Sequence, residues 1–254
     1  MKLPVAVSKM ERERISAGSY DLNKWLHGGY ERDIITTIYG PAGSGKTNFC
    51  MLVAVSQAKK GSRVIFIDTE GGFSTERLKQ IAREKAEEVM TKILLLKPTS
   101  FNEQQKSFNT LLNELKGRNE IGVIIVDSMT MLYRLELAEA AKSNNKRQVQ
   151  EINSKLANQM RTLAEIARKD NIPIIVTNQV YSEFLSEEEL RLGKEKKVAM
   201  VGGDILKYWS KCIIELQNLE GRKKAILVKH RSLPQQELTF NIINTGILKT
   251  WRIF

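Results

Sequence analysis

Residues 40–47 run Gly40, Pro41, Ala42, Gly43, Ser44, Gly45, Lys46, Thr47, the spacing G-x-x-x-x-G-K-[ST]. An apolar, β-branched run precedes them (Ile34, Ile35, Thr36, Thr37, Ile38, Tyr39), and Asn48 to Ala54 read as the start of a helix. Strand, glycine-rich turn and helix in that order make a phosphate-binding loop. The glycines let consecutive backbone N–H groups converge on phosphate oxygens, and the helix adds its positive dipole end. In such a loop Lys46 reaches the β- and γ-phosphates of a nucleoside triphosphate, the Thr47 hydroxyl holds Mg2+, and Asn48 opens the helix beside them. An ordinary glycine turn is the competing reading, and the flanking strand and helix argue against it.

The chain has 254 residues, 42% hydrophobic and 27% charged, enough for one sizeable core. We expect a flexible tail over residues 1–14 and a single domain over 15–254. No run of eighteen apolar residues exists and the start lacks a signal-peptide core, so a cytoplasmic chain without a membrane span is expected. Cys50 and Cys212 lie in apolar surroundings without metal-ligand spacing and read as reduced core thiols. The formal charge of +11 points first to nucleic acid, then to an acidic protein or membrane surface. A lysine-rich solvated surface is the bland alternative.

Taken in order, residues 19–26 suggest a short amphipathic helix capped by Ser19 and ended at Gly28 and Gly29. After the loop helix, Val64 to Ile67 form an apolar strand that ends in Asp68 and Glu70, the edge where open α/β sheets bind ligands. A helix over 74–89, a strand over 93–96 and a helix near 102–115 follow. Residues 121–126 are a continuous apolar strand ending in Asp127, as the Mg2+-holding carboxylate of phosphate-loop enzymes does. We expect a loop and a short helix over 128–145, a long helix near 147–169, and a strand from 173 ending in Thr177, Asn178 and Gln179. Residues 181–203 show no pattern beyond an acidic half followed by Arg191, Lys194, Lys196 and Lys197. A loop of that length in a domain is usually functional. Four antiparallel strands close the chain, carrying Arg222, Lys223, Lys224, Lys229 and Arg231.

The phosphate loop, Asp68-Thr69-Glu70-Gly71, Asp127-Ser128 and Thr177-Asn178-Gln179-Val180 together resemble the ATPase core of the RecA/RadA recombinases. The lead-in Gly18-Ser19, Leu26 and Gly28-Gly29 belongs to the same likeness, which runs from Ile15 to the end. Its implied fold is an α/β core, a mostly parallel central sheet flanked by helices, with antiparallel strands at the C-terminal end. Within the family the chain looks like the short archaeal RadA paralogues. Only about fifteen residues precede the core, they hold no aromatic residue, and no Phe-x-x-Ala polymerisation motif is evident. Ser74 stands where RadA-type proteins commonly have Arg, and the loop after Gln179 lacks the usual family text.

The resemblance implies ATP and Mg2+ as cofactors, with Lys46, Glu70 and Gln179 catalytic. Glu70 would orient the attacking water, Gln179 would sense the γ-phosphate, and Arg77 would lie against the adenine. Thr47 and Asp127 would hold the metal. Arg134 falls in the first DNA-facing loop, and Arg191, Lys194, Lys196 and Lys197 in the second, with Arg222, Lys223 and Lys224 adding to the DNA surface. Lys229, His230 and Arg231 would either complete a neighbouring subunit's site or contact phosphate backbone. The implied role is a weak, DNA-linked ATPase in homologous recombination and repair, an accessory and not the main strand-exchange recombinase. Implied partners are DNA, single-stranded and read without sequence preference, and either the main RadA-type recombinase or other repair proteins; the chain would be a monomer or homodimer. The competing classes are a KaiC-type signalling ATPase with the same fold and an ATP-responsive binding module with negligible turnover.

Overall fold

A computed structural model of the chain describes residues 14–117, 120–143, 145–182 and 198–250. A two-residue ribbon of β1 (Arg14–Ile15) and β2 (Tyr30–Glu31) brackets α1 (Tyr20–Trp25). The sheet begins with β3 (Ile35–Gly40), followed by α2 (Lys46–Ala58), β4 (Arg63–Asp68), α3 (Thr75–Ala82), α4 (Ala86–Thr91) and β5 (Ile93–Leu96). Then come α5 (Phe101–Leu115), β6 (Ile121–Asp127), α6 (Met131–Lys142), α7 (Lys146–Asp170), β7 (Ile174–Ser182) and β8 (Val198–Met200). The chain closes with α8 (Gly203–Trp209), β9 (Cys212–Leu219), β10 (Arg222–His230), β11 (Gln236–Ile243) and β12 (Gly246–Lys249).

Along β4, Val64 and Phe66 enter one core cluster while Ile65 and Ile67 enter the other. Val123 and Ile125 of β6 join the first, Ile124 and Val126 the second. Because strand side chains alternate faces, a run apolar at every position must be covered on both sides. Helices α2, α3 and α4 cover one face, and α5, α6, α7 and α8 the other. A fully buried side chain such as Phe66 contributes roughly 2–3 kcal/mol.

Among the described residues the sheet has ten strands, in the order β12-β11-β10-β9-β3-β7-β6-β4-β5, with β8 pairing antiparallel to β7. From β9 through β5 the pairings are parallel, and β9 to β12 form an antiparallel meander, the arrangement expected from the sequence. Among the described residues no helix is long and apolar enough to cross a membrane.

Several boundaries differ from expectation. Arg14, assigned to the tail, pairs with Glu31 in β1. The helix expected over 74–89 breaks at Arg83 (φ 56°) into α3, a 3-10 turn and α4. The apolar spacing of Leu78, Ile81, Ala82, Ala86 and Val89 continues through the break, so periodicity does not reveal it. Residues 128–145 contain twelve helical residues in α6, not a loop with a short helix. Only Leu132, Tyr133 and Ala140 of that helix are buried, which leaves a weak stripe to read. Ser19 precedes α1 but gives its hydroxyl to the Ile247 carbonyl instead of capping.

Candidate active site

Parallel pairing brings the carboxyl ends of four strands to one edge. Gly40 lies beside Gln179, and Asp68 beside Asp127. Binding sites of open α/β sheets form at this edge. Here a cavity of about 270 Å³ is lined by Ala42, Gly43, Gly45, Lys46, Thr47, Asn48, Glu70 and Gln179.

The phosphate loop keeps its shape because two positions admit only glycine. A Cβ at Gly40 would stand 2.3 Å from the Leu216 carbonyl oxygen. Gly45 is the N-cap of α2 at φ 106°, a left-handed conformation costly for other residues. Lys46 is buried at 6% exposure, and its ammonium donates to the carbonyls of Gly40 (2.9 Å) and Pro41 (3.0 Å) and to Oε1 of Gln179 (3.2 Å). Burial lowers its pKa below the usual lysine value, opposed by the carboxylates of Glu70 and Asp127. Gln179 in turn donates from Nε2 to both Glu70 oxygens, at 3.2 and 3.0 Å. The three residues read as catalytic therefore form one hydrogen-bonded line.

Asp127 is 2% exposed, and burial pushes its carboxyl up to about 6. Oδ1 accepts the Thr177 hydroxyl, while Oδ2 is buried without a hydrogen-bond partner. A desolvated carboxylate suits a hard cation, and the Thr47 hydroxyl, which lines the cavity, lies close enough to Asp127 to lower its pKa against the effect of burial. These are the residues expected to hold Mg2+.

Arg77 is pinned by hydrogen bonds to Asn48 Oδ1 (2.8 Å), Gln80 Oε1 (2.9 Å), and the carbonyls of Ile243 (2.9 Å), Asn244 (3.0 Å) and Gly246 (3.4 Å). That uses every N–H of the guanidinium, so a ligand could be recognised by Arg77 only through its flat faces. Burial lowers its pKa.

The other expected residues fall apart into separate places. Arg134 is exposed on α6, on a helix and not in a loop. Arg191, Lys194, Lys196 and Lys197 lie outside the described residues. Of the β10 cations, Lys223 donates to the Gly43 carbonyl of the phosphate loop and Lys224 pairs with Glu237 at 3.1 Å. Arg222 pairs through its backbone with Leu219, and its exposed side chain makes no hydrogen bond or ion pair among the described residues. The set read as one DNA surface is thus split.

Lys229 and His230 end β10 beside Ile213 and Cys212, with Arg231 directly after, at the sheet edge opposite the phosphate loop, because β10 runs antiparallel to β9. Arg231 binds Glu31 and forks onto Asp33, with its NH1 2.9 Å from Oδ2. Nδ1 of His230 accepts the N–H groups of Ser232 and Leu233, and Lys229 donates to the Lys207 carbonyl at 2.8 Å. Glu31 is fully buried under this group; burial raises its pKa, but the hydrogen bonds from Arg14 and Arg231 outweigh that and hold it below the usual carboxylate value.

Sequence reasoning missed the scaffold around these groups. Asp68 accepts the N–H groups of Glu70 (3.3 Å), Gly72 (3.1 Å) and Phe73 (3.0 Å), so it shapes the turn that presents Glu70. An acidic strand end followed by Gly71 and Gly72 was the available signal. Thr69 and Ser128 exchange hydrogen bonds at 2.7 and 2.8 Å, tying the ends of β4 and β6 together. Asn178 accepts the Thr130 hydroxyl and donates to the Val201 carbonyl at 2.7 Å.

Residues 9–250 match the Rad51 family. The chain is 36% identical over 231 residues to the "DNA repair and recombination protein RadB" of Methanobrevibacter smithii, covering 89% of this chain and 92% of that protein. It is 39% identical over 226 residues to the RadB of Methanocaldococcus jannaschii, with 89% and 98% covered. The RadB of Methanococcoides burtonii is 39% identical over 228 residues, with 89% and 93% covered.

Proposed function

The chain belongs to the Rad51 family, and on that premise we propose that it is a DNA-binding ATPase acting in homologous recombination and DNA repair as a RadB-like accessory. The observation that carries this reading is the line Lys46–Gln179–Glu70 beside the buried Asp127. Lys46 faces the β- and γ-phosphates once ATP replaces the loop carbonyls as its partners. Glu70 accepts a proton from the attacking water, and Gln179 couples the two because its amide touches both. Thr47 and Asp127 would hold Mg2+, which when bound would supply charge neutralisation at the phosphates. Arg77 stacks against the adenine with its free face.

Hydrolysis is weak. Lys46 is the one cation lining the cavity among the described residues, so within that set the transition-state charge lacks a second positive partner. Lys229, at the opposite edge of the sheet, would supply that partner only from a second subunit. DNA is bound single-stranded and without sequence preference, through Arg134, Arg222 and the cations Arg191, Lys194, Lys196 and Lys197. The chain works in the cytoplasm as a monomer or homodimer and serves a RadA-type recombinase.

Phosphate release from Mg·ATP, measured with and without single-stranded DNA, tests this reading. A slow parent rate that DNA alters and Glu70→Gln abolishes is expected. Turnover that survives Glu70→Gln, or no DNA binding at low salt, would overturn it.

A further inference from the structure

The hairpin between β9 and β10 reaches over the outside of the phosphate loop. Asn218 donates from Nδ2 to the Ala42 carbonyl at 3.2 Å, and Lys223 donates to the Gly43 carbonyl. The two side chains also bind each other, Lys223 Nζ to Asn218 Oδ1 at 2.9 Å. A Cβ at Gly45 would stand 3.1 Å from Ile242 and 3.8 Å from the Lys223 stem, so the stem runs close beside the loop. Two successive loop carbonyls are thereby held from the solvent side by residues about 180 positions away in sequence.

A peptide unit is planar and trans, so its C=O and N–H point opposite ways. Pulling the Ala42 and Gly43 carbonyls outward turns the N–H groups of Gly43 and Ser44 inward. The Ser44 N–H does point across the loop, to the Pro41 carbonyl at 3.2 Å. Inward N–H groups are what phosphate oxygens require. A charged donor on a carbonyl is also among the stronger hydrogen bonds.

We propose that Asn218 and Lys223 are positioning residues for the nucleotide: a brace that sets the phosphate loop's peptides for phosphate before it arrives. Lys223 then belongs to the nucleotide site and not to the DNA surface on which its position in the sequence first puts it. The inference rests on the nucleotide reading of the loop.

Titration calorimetry of the full chain with Mg·ATP tests it. Lys223→Met weakens ATP binding on the order of tenfold, the loss of one charge-assisted hydrogen bond that organises the site. Asn218→Ala changes no charge and weakens binding about threefold, which separates a brace from a general field effect. Lys223→Arg restores most of the loss, and the thermal midpoint without nucleotide falls by no more than about 4 °C in any of the three variants. Parent-like ATP affinity in Lys223→Met and Asn218→Ala, with binding lost in Lys46→Ala, would overturn the brace alone. A loss in Lys223→Met that comes with a nucleotide-free midpoint lowered by about 10 °C or more and that arginine does not restore would also overturn it. If Lys46→Ala binds ATP as the parent does, the nucleotide reading itself has failed.

Discussion

The amide of Gln179 donates to both carboxylate oxygens of Glu70 while its own oxygen accepts the Lys46 ammonium. A glutamine cannot donate to a carboxylate and accept from an ammonium in the opposite orientation, so the charges on either side fix its flip. Gln179→Ala removes that link without altering either charge. ATP turnover is then expected to fall about tenfold with nucleotide affinity changed little, because Glu70 loses its orientation. Steady-state phosphate release beside calorimetric ATP affinity reads the two effects separately; a turnover unchanged by Gln179→Ala would show that Glu70 needs no such guide.

Glu70→Gln leaves the same groups in place and removes only the base. Turnover should drop on the order of a hundredfold or more while ATP still binds. Single-turnover rates with the protein in excess over nucleotide make the comparison, and equal rates in variant and parent would disprove the assignment.

Asp127 carries a cost in the nucleotide-free chain, since its charge is buried and burial outweighs the hydroxyls of Thr177 and Thr47. Asp127→Asn should therefore stabilise the nucleotide-free chain by about 1–3 kcal/mol and abolish the Mg2+ dependence of ATP binding. Urea denaturation without nucleotide, and ATP titrations with and without Mg2+, measure the two halves. A destabilised variant would mean that the carboxylate is structural.

Much of this site is legible in the sequence because its determinants are local. The phosphate loop is eight contiguous residues, and Asp127 ends a strand whose continuous apolar run announces burial on both faces. Glu70 and Gln179 could be placed at the same edge because parallel strands bring their carboxyl ends together. What escaped depends on distant partners. Lys223 sits in a basic run that reads as a DNA surface, and nothing near it in sequence says that it meets Gly43. Arg231 likewise looks like a free cation until the fold sets Glu31 and Asp33 against it. The Arg83 break is invisible because the buried stripe runs through it.

Glu31 gives the fold an acid-sensitive joint. Its pKa is held below the usual carboxylate value in the folded chain, so its contribution is fully present above the unfolded value and is lost as pH falls through the lower, folded one. Glu31→Gln should destabilise the chain by about 3 kcal/mol at pH 7, because it leaves Arg14 and Arg231 short of a buried anion. Near pH 3 the difference between parent and variant should shrink. Urea midpoints at the two pH values decide the matter, and a gap that persists or grows in acid would contradict the sign.

Single-stranded DNA should bind through backbone charge, with affinity falling log-linearly as salt rises, at a slope of about −0.7 per phosphate contacted. The β10 cations should not contribute equally. The Arg222 side chain is exposed and without a described partner, so Arg222→Ala should make the slope shallower by about 0.7. Lys224 already pairs with Glu237, which screens it, and Lys224→Ala should change the slope by less. Lys223 is bound to the phosphate loop, so Lys223→Met should leave the slope near its parent value while weakening ATP. Neutralising Arg191, Lys194, Lys196 and Lys197 together should shallow the slope most, since four cations are removed at once. Fluorescence anisotropy of a labelled oligonucleotide across a salt series gives each slope directly. Equal changes for Arg222, Lys223 and Lys224 would mean that the hairpin acts as one undivided patch, and an affinity independent of salt would leave the +11 charge as surface solvation.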